Sequence, residues 1–383
     1  MPTYLDKFTR AGCDTYLHET MLMKNTKFLS LLNQWGQPPG GQIRGSKVVQ
    51  NVNGKSKASE FTNTGDKDYN TDAEPTLEQA EFEIGRQINS VYLNGMDYTL
   101  NTGRDLSDAI MSDNLDAASE ATLINLAQVS ARTRVADFYR DKNKALLNGS
   151  ATISPVRATF ATKVYGLVSD LAVTSGTARF GITKADLGNH DFDKPSTKGT
   201  KQPKWEPMVL TPTSNAIALF GDDTNSLQRA CALLNHGGTA IPGEAAMGGN
   251  EYHFLMAHGI HSEISDALSA RAQIIVGPGM GANPADPNIH FWNNTFYSPM
   301  YNAYFHVDND MPSGTLVGFN RATVGLYQSV ANSHSIATGN IADPWRMREI
   351  KDMALLPLHD TYQLVCSDLS QIVISTGIQS VTL

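Results

Sequence analysis

The chain has 383 residues, 41% hydrophobic and 18% charged, with a formal net charge of −8 at neutral pH, a balance that argues against tight nucleic-acid binding through clustered cations. Cys13, Cys231 and Cys366 are widely spaced, odd in number and without a CxxC pair, which argues against a disulfide framework or a cysteine zinc site. Without an apolar run of about 18 residues or a basic and apolar leader, a soluble product of a reducing cytoplasm is expected.

In chain order, residues 1–35 mix large apolar and polar side chains. Phe28, Leu31, Leu32 and Trp35 recur at helical spacing, and Gln37-Pro38-Pro39-Gly40 ends that helix. A short apolar helix of this kind docks on its own core in a monomer, or on a neighbour in an assembly. From Gly36 to Thr76 follow 41 residues with few large apolar side chains. Structureless loops beyond about 12–15 residues are uncommon in compact domains. The charges of this stretch are sorted. Arg44, Lys47, Lys55 and Lys57 occur without acids up to Ala58, whereas Glu60, Asp66, Asp68, Asp72 and Glu74 then face Lys67 alone. Opposite charge on two successive limbs fits a long antiparallel hairpin. The return limb alternates Ala80, Phe82 and Ile84 with Gln79, Glu81 and Glu83, as a half-buried strand does.

Ser112 to Asn148 reads as one helix of 37 residues, with Ile124, Ala127, Ala131, Val135 and Phe138 on one stripe. Ser112 or Asp113 would cap it and Asn148-Gly149 would end it. At 1.5 Å per residue this rod approaches 55 Å, beyond the roughly 35–40 Å width of a compact domain of ordinary size. A flattened, tile-like body is implied.

Residues 183–207 are polar and interrupted by proline, and read as an exposed loop or insertion. An α/β region follows: the apolar run Met208–Leu210, a helix from Asp222 or Asp223 to Asn235, a strand over Glu251–Ala257 and a short helix over Ser262–Ala272. Strands are expected near Tyr301–Val307 and Thr315–Phe319, and the tail runs Ala354–Leu358, Tyr362–Cys366 and Gln371–Ser375 read as a closing sheet.

Few residues suggest chemistry. His253, His258 and His261 could hold a metal with Glu251, Glu263 or Asp266, but their spacing matches no established ligand pattern. Gly277–Gly281 lacks the lysine and the strand–loop–helix setting of a phosphate loop. Asp222-Asp223 fits a helix cap, and Asp308-Asn309-Asp310 an exposed turn. The expected tally is no catalytic residue, no metal and no cofactor.

The order of parts is itself informative. The segment Glu120–Gly149, ending Ala-Leu-Leu-Asn-Gly, resembles the spine helix of tailed-bacteriophage major capsid proteins. Tyr252–Leu268 resembles that family's strand and following short helix. Asn293-Asn294-Thr295-Phe296 with Tyr301-Asn302-Ala303-Tyr304, and Leu316–Ala322, are similar to two further passages. Asn294 and Ala303 depart from the usual proline and glycine.

The resemblance implies an α+β, HK-ninety-seven-type capsid fold. Its expected parts are an N-terminal arm (1–40), an extended β-hairpin loop (41–95), a peripheral domain with the spine helix and closing sheet (96–160 and 340–383), and an axial domain (161–339) carrying the 183–207 insertion. It further implies a non-enzymatic coat protein of the virion, self-assembling into hexamers and pentamers with scaffolding, portal and decoration proteins, enclosing double-stranded DNA and engaging no membrane. Arg44, Lys47, Lys55, Lys57, Glu60, Asp66, Asp68 and Asp72 of the arm are the expected inter-subunit contacts. The rivals are an encapsulin-like cargo shell and, in another class, a metal-dependent enzyme built on the histidines.

Overall fold

The computed structural model describes residues 27–35, 41–53, 77–106, 108, 116–149, 164–174, 176, 178–211, 231, 252–263, 295–298, 303–328, 346–348 and 353–378. The helix expected over 222–235, most of that over 262–272 and the glycine loop at 277–281 lie outside these residues.

Helix α1 (Lys27–Trp35) buries Phe28, Leu29, Leu31 and Leu32 in its own chain. Its leading amides have no partner within the helix and find side chains instead. Phe28 N donates to Asp308 Oδ2 at 2.9 Å and Leu29 N to Asn143 Oδ1 at 3.0 Å. Of the two docking options for this segment, the described helix therefore takes the intrachain one.

Strands β1 (Gly41–Arg44), β2 (Lys47–Asn53) and β3 (Leu77–Glu83) form an antiparallel sheet in that order. Gly45 supplies the positive φ, 63°, that turns β1 into β2. The return limb alternates as its sequence requires, with Ala80 and Phe82 buried and Gln79, Glu81 and Glu83 exposed.

Strand β4 (Gly85–Asn94) escaped sequence reading. It leads into helix α2 (Gly95–Thr102), which Asn94 caps and Gly103 closes in a left-handed conformation. The spine, α3, spans Ala117–Asn148, 32 residues or about 48 Å. Its cap is Asp116, whose carboxylate accepts from Ser119 N at 3.3 Å, rather than Ser112 or Asp113. Of the expected stripe Phe138 is buried and Ile124 half-buried, with Leu123 buried beside it; the side chains of Ala127, Ala131 and Val135 lie outside the described ones. The buried face then broadens to include Phe138, Tyr139, Lys142, Asn143 and Ala145–Leu147.

A π-helical turn at Leu167–Leu171 precedes β5 (Ala178–Arg179), β6 (Ile182–Thr183) and the short α4 (Lys184–Leu187). Within the expected exposed loop or insertion, strands β7 (Asn189–Lys194) and β8 (Thr197–Pro203) form a two-stranded hairpin. That segment ends in the core: Trp205 is wholly buried and donates through Nε1 to Arg179 O at 3.1 Å.

The chain continues through β9 (Met208–Leu210), β10 (Tyr252–Met256), β11 (Thr295–Ser298), β12 (Ala303–Val307) and β13 (Leu316–Asn320). It finishes with β14 (Val324–Gln328), β15 (Arg346–Arg348), β16 (Met353–Cys366) and β17 (Ile372–Ser375). One sheet has the order β11-β12-β10-β13-β17-β9, parallel at β10–β12 and at β9–β17. The other centres on β16, with β4 along one edge and β14 and β15 along the other.

The expected closing sheet is thus divided, because β17 joins the six-stranded sheet. The two tail runs read as separate strands are one strand of 14 residues, since Asp360 is no turn residue. It is buried within β16 and accepts from Lys142 Nζ at 2.6 Å. Among the described residues, no helix is long and apolar enough to cross a membrane.

Candidate assembly interface

The arm is anchored at its base. Val48 and Val52 on β2, with Ala80 and Phe82 on β3, turn inward and join the main core cluster. Phe82 stacks on Phe180 at 4.5 Å between ring centroids, and Tyr165 meets Phe180 edge-on at 5.1 Å. Phe180 holds a positive φ of 51°, which strains a residue carrying a bulky side chain. That conformation presents its carbonyl to Glu81 N at 2.8 Å while its ring covers Phe82.

Outside this apolar base the surface is charged. Lys47 Nζ lies 2.5 Å from Glu81 Oε2, and each side chain is nearly half exposed. Its partner raises the ammonium pKa, chiefly through the hydrogen bond from Nζ to Glu81. Lys47, Glu81, Tyr165, Asp170, Arg179 and Phe180 line an open pocket where β2 and β3 meet the β5–β6 turn. Arg44 is exposed on the edge strand β1. Of the eight arm residues singled out in the sequence, only Arg44 and Lys47 are therefore placed. Lys55, Lys57, Glu60, Asp66, Asp68 and Asp72 lie outside the described residues. Glu81, the counter-ion of Lys47, was read only as an outward strand position. Its antiparallel placement opposite the basic limb was the available signal.

A second surface was missed. Met96 and Leu100, one helical turn apart on α2, are 65% and 74% exposed, and Val129 on α3 is 64% exposed. Beside them Arg134 lies 4.5 Å over the Tyr92 ring, and Ser130 Oγ donates to Tyr92 O at 2.5 Å. Spine and β4 are thus locked together at Tyr92.

The structure places His253 on β10, with His258 and His261 in the helical turn that follows. The partner of His253 is His306 on the neighbouring strand, with Nδ1 and Nε2 at 2.9 Å. His258 is exposed and His261 buried in the helical turn at 258–263. Among the described residues no group of three or more histidine, cysteine, aspartate or glutamate side chains could hold a metal. Asp308 is buried rather than set in an exposed turn, and accepts from Phe28 N, Asn143 Nδ2 and Asp310 N. Burial raises its carboxyl pKa.

No family model matches the sequence, and no curated protein matches it. Solved structures do. The chain is similar to a subunit of the Cyanophage A-1(L) capsid asymmetric unit, at TM-score 0.54 and 14% identity over 92% of this chain and 93% of that one. Looser likenesses include the capsid of an empty GTA particle (TM-score 0.47, 10% identity, 91% and 96% covered). Another is the holo-SrpI encapsulin complex of Synechococcus elongatus PCC 7942 (TM-score 0.46, 10% identity, 95% and 92% covered). The first, complete in both directions, shows that the chain has the HK-ninety-seven-type capsid fold.

Proposed function

We propose that this chain is the major capsid subunit of a tailed bacteriophage, a non-enzymatic structural protein that assembles into an icosahedral head around double-stranded DNA. The observation carrying this reading is the end-to-end likeness to a cyanophage capsid subunit, covering more than nine-tenths of both chains. The arm supports it physically. An extended arm with sorted charge makes head-to-tail contacts on another copy, and such contacts close into five- and six-membered rings. In this reading the extended loop is the β1–β3 part of the expected 41–95 segment, β4 and β14 belong with β16 and the spine to the peripheral domain, and β17 belongs with the six-stranded sheet to the axial one.

The arm's outer charges, Lys55, Lys57, Glu60, Asp66, Asp68 and Asp72, with Arg44 near the base, make the inter-subunit contact. Lys47 spends its charge on Glu81 of its own chain and contributes mainly to the base. Scaffolding, portal and decoration proteins are the further partners. DNA lies against the inner face without sequence-specific recognition, as a net charge of −8 suits.

The test is electron microscopy of the expressed full-length chain beside a deletion of residues 54–72, which spares the core residues of β2 and β3. The intact chain is expected to form closed shells of uniform diameter, and the deletion to remain soluble without forming them. Shells from the deletion would overturn the arm's role. An intact chain that stays monomeric in the presence of a co-expressed scaffold would overturn the capsid reading.

A further inference from the structure

The face of the six-stranded sheet beneath α1 is chemically unusual. His253 on β10 and His306 on β12 stack at 5.2 Å with their rings 6° from parallel, and a ring nitrogen of each approaches the other to 2.9 Å. Tyr304 extends the stack, 5.1 Å from His253. Helix α1 is the cover: Trp35 lies 4.5 Å from the His253 ring and 5.8 Å from Phe319, and Phe28 meets Phe319 edge-on at 5.7 Å. Both histidines are at least 95% buried by this arrangement.

A contact of 2.9 Å requires one ring nitrogen to donate and the other to accept. Two imidazolium rings offer only donors there and repel. Among the described residues, charged groups acting on the pair include Lys27 on α1 and Arg321 beyond β13, both cations, and the Arg321 guanidinium lies 5.8 Å over the Trp35 ring. Added positive charge therefore enters a site already biased against it. We propose that α1 is an acid-released latch: protonation of the His253–His306 pair lifts the N-terminal helix from the sheet while the strands beneath remain paired.

The direction follows from linkage. Burial, reinforced by Arg321 and Lys27, pulls the His253 pKa down to about 3, and burial with His253 and Lys27 holds that of His306 well below its ordinary value. A histidine with a depressed pKa in the closed state stabilises closure above its unperturbed pKa near 6.5, and that contribution fades as pH falls toward the closed-state value. Two such groups let the open-to-closed ratio rise by up to about 100-fold per pH unit below 6. Asp308 works in the opposite sense. Its raised pKa makes the closed state take up a proton first, offsetting part of the drive at the lower end of the range.

The proposal concerns a single chain and stands whether or not shells form. It is tested by amide hydrogen exchange of the full-length protein between pH 7 and 4.5, corrected for the intrinsic pH dependence of exchange. The α1 amides are expected to lose protection by up to about 100-fold per unit below pH 6, while β16 stays protected. In His253→Gln/His306→Gln that dependence is expected to flatten. Simultaneous loss in α1 and β16, or a pH-independent α1, would overturn the latch. So would an unchanged slope in the double variant. If the double variant does not fold, the contrast between α1 and β16 in the wild type decides alone, with His306→Asn expected to halve the logarithmic slope.

Discussion

Lys142 is the residue whose placement is most costly in isolation. It occupies the core-facing side of α3, with its side chain 2% exposed, and its ammonium contacts Asp360, itself 1% exposed, at 2.6 Å. Burial lowers the Lys142 pKa, with Asp360 opposing that shift. The site is completed by neutral partners. Gln328 Nε2 donates to both Asp360 oxygens at 3.0 Å, and the Lys142 ammonium sits 4.5 Å from the Tyr362 ring. Tyr362 OH in turn donates to Gln87 on β4 at 2.8 Å, and Gln87 Nε2 to Phe138 O on the spine at 2.9 Å. Removing one member of such a pair leaves an uncompensated buried charge, which costs about 3–5 kcal/mol, whereas replacing both by apolar groups is often neutral. Lys142→Met is therefore expected to lower unfolding free energy by roughly that amount, and Lys142→Met/Asp360→Leu to recover most of it in urea titrations. A single variant as stable as the wild type would show that Asp360 is not held by this lysine. None of this was legible in the sequence, where a lone lysine in a helix and an aspartate between apolar runs read as solvated positions. Asp308 and Asn143 were hidden for the same reason: they meet each other across 165 residues of chain.

At the scale of elements, legibility followed local repetition. The helical spacing of Phe28, Leu31, Leu32 and Trp35, and the alternation of Ala80 and Phe82, each report a face that one element buries. β4 was missed because its inward residues include Gln87 and Asn89 as well as Val91 and Leu93, so its pattern is polar for half its length. The division of the tail between two sheets has no local signature, since register depends on partners far away. The spine's buried face runs on past the expected stripe for a related reason: Lys142 and Asn143 sit on it. The arm's base offers an element-scale test. Phe82→Ala removes the ring stacked on Phe180 and leaves a cavity beneath β2 and β3, a change that costs about 3–5 kcal/mol for a fully buried phenylalanine. Exchange protection of β3 is expected to fall while that of β10 and β13 persists. Equal loss throughout would mean that the arm base and the sheets unfold as one unit.

For the whole molecule, the proposed assembly has to overcome like charge. Each copy carries −8, and the Debye length is roughly 10 Å at 0.1 M salt, so neighbouring subunits at low salt repel across much of their contact surface. The contacts proposed for the arm's outer charges offset part of this, but the two limbs sum to no net charge: the first carries four cations and the second five acids against one lysine. The net repulsion and the apolar contacts, such as those that Met96, Leu100 and Val129 offer, then set how association responds to salt. Apolar contacts are not weakened by moderate salt, whereas repulsion is screened. The protein concentration at which shells appear, followed by light scattering, is accordingly expected to fall as salt rises from about 0.02 to 0.2 M. A rise over that range would show that ion pairs between the arm of one copy and the body of the next dominate the contact. Arg44→Gln and Lys55→Gln would then weaken assembly more than Met96→Gln does.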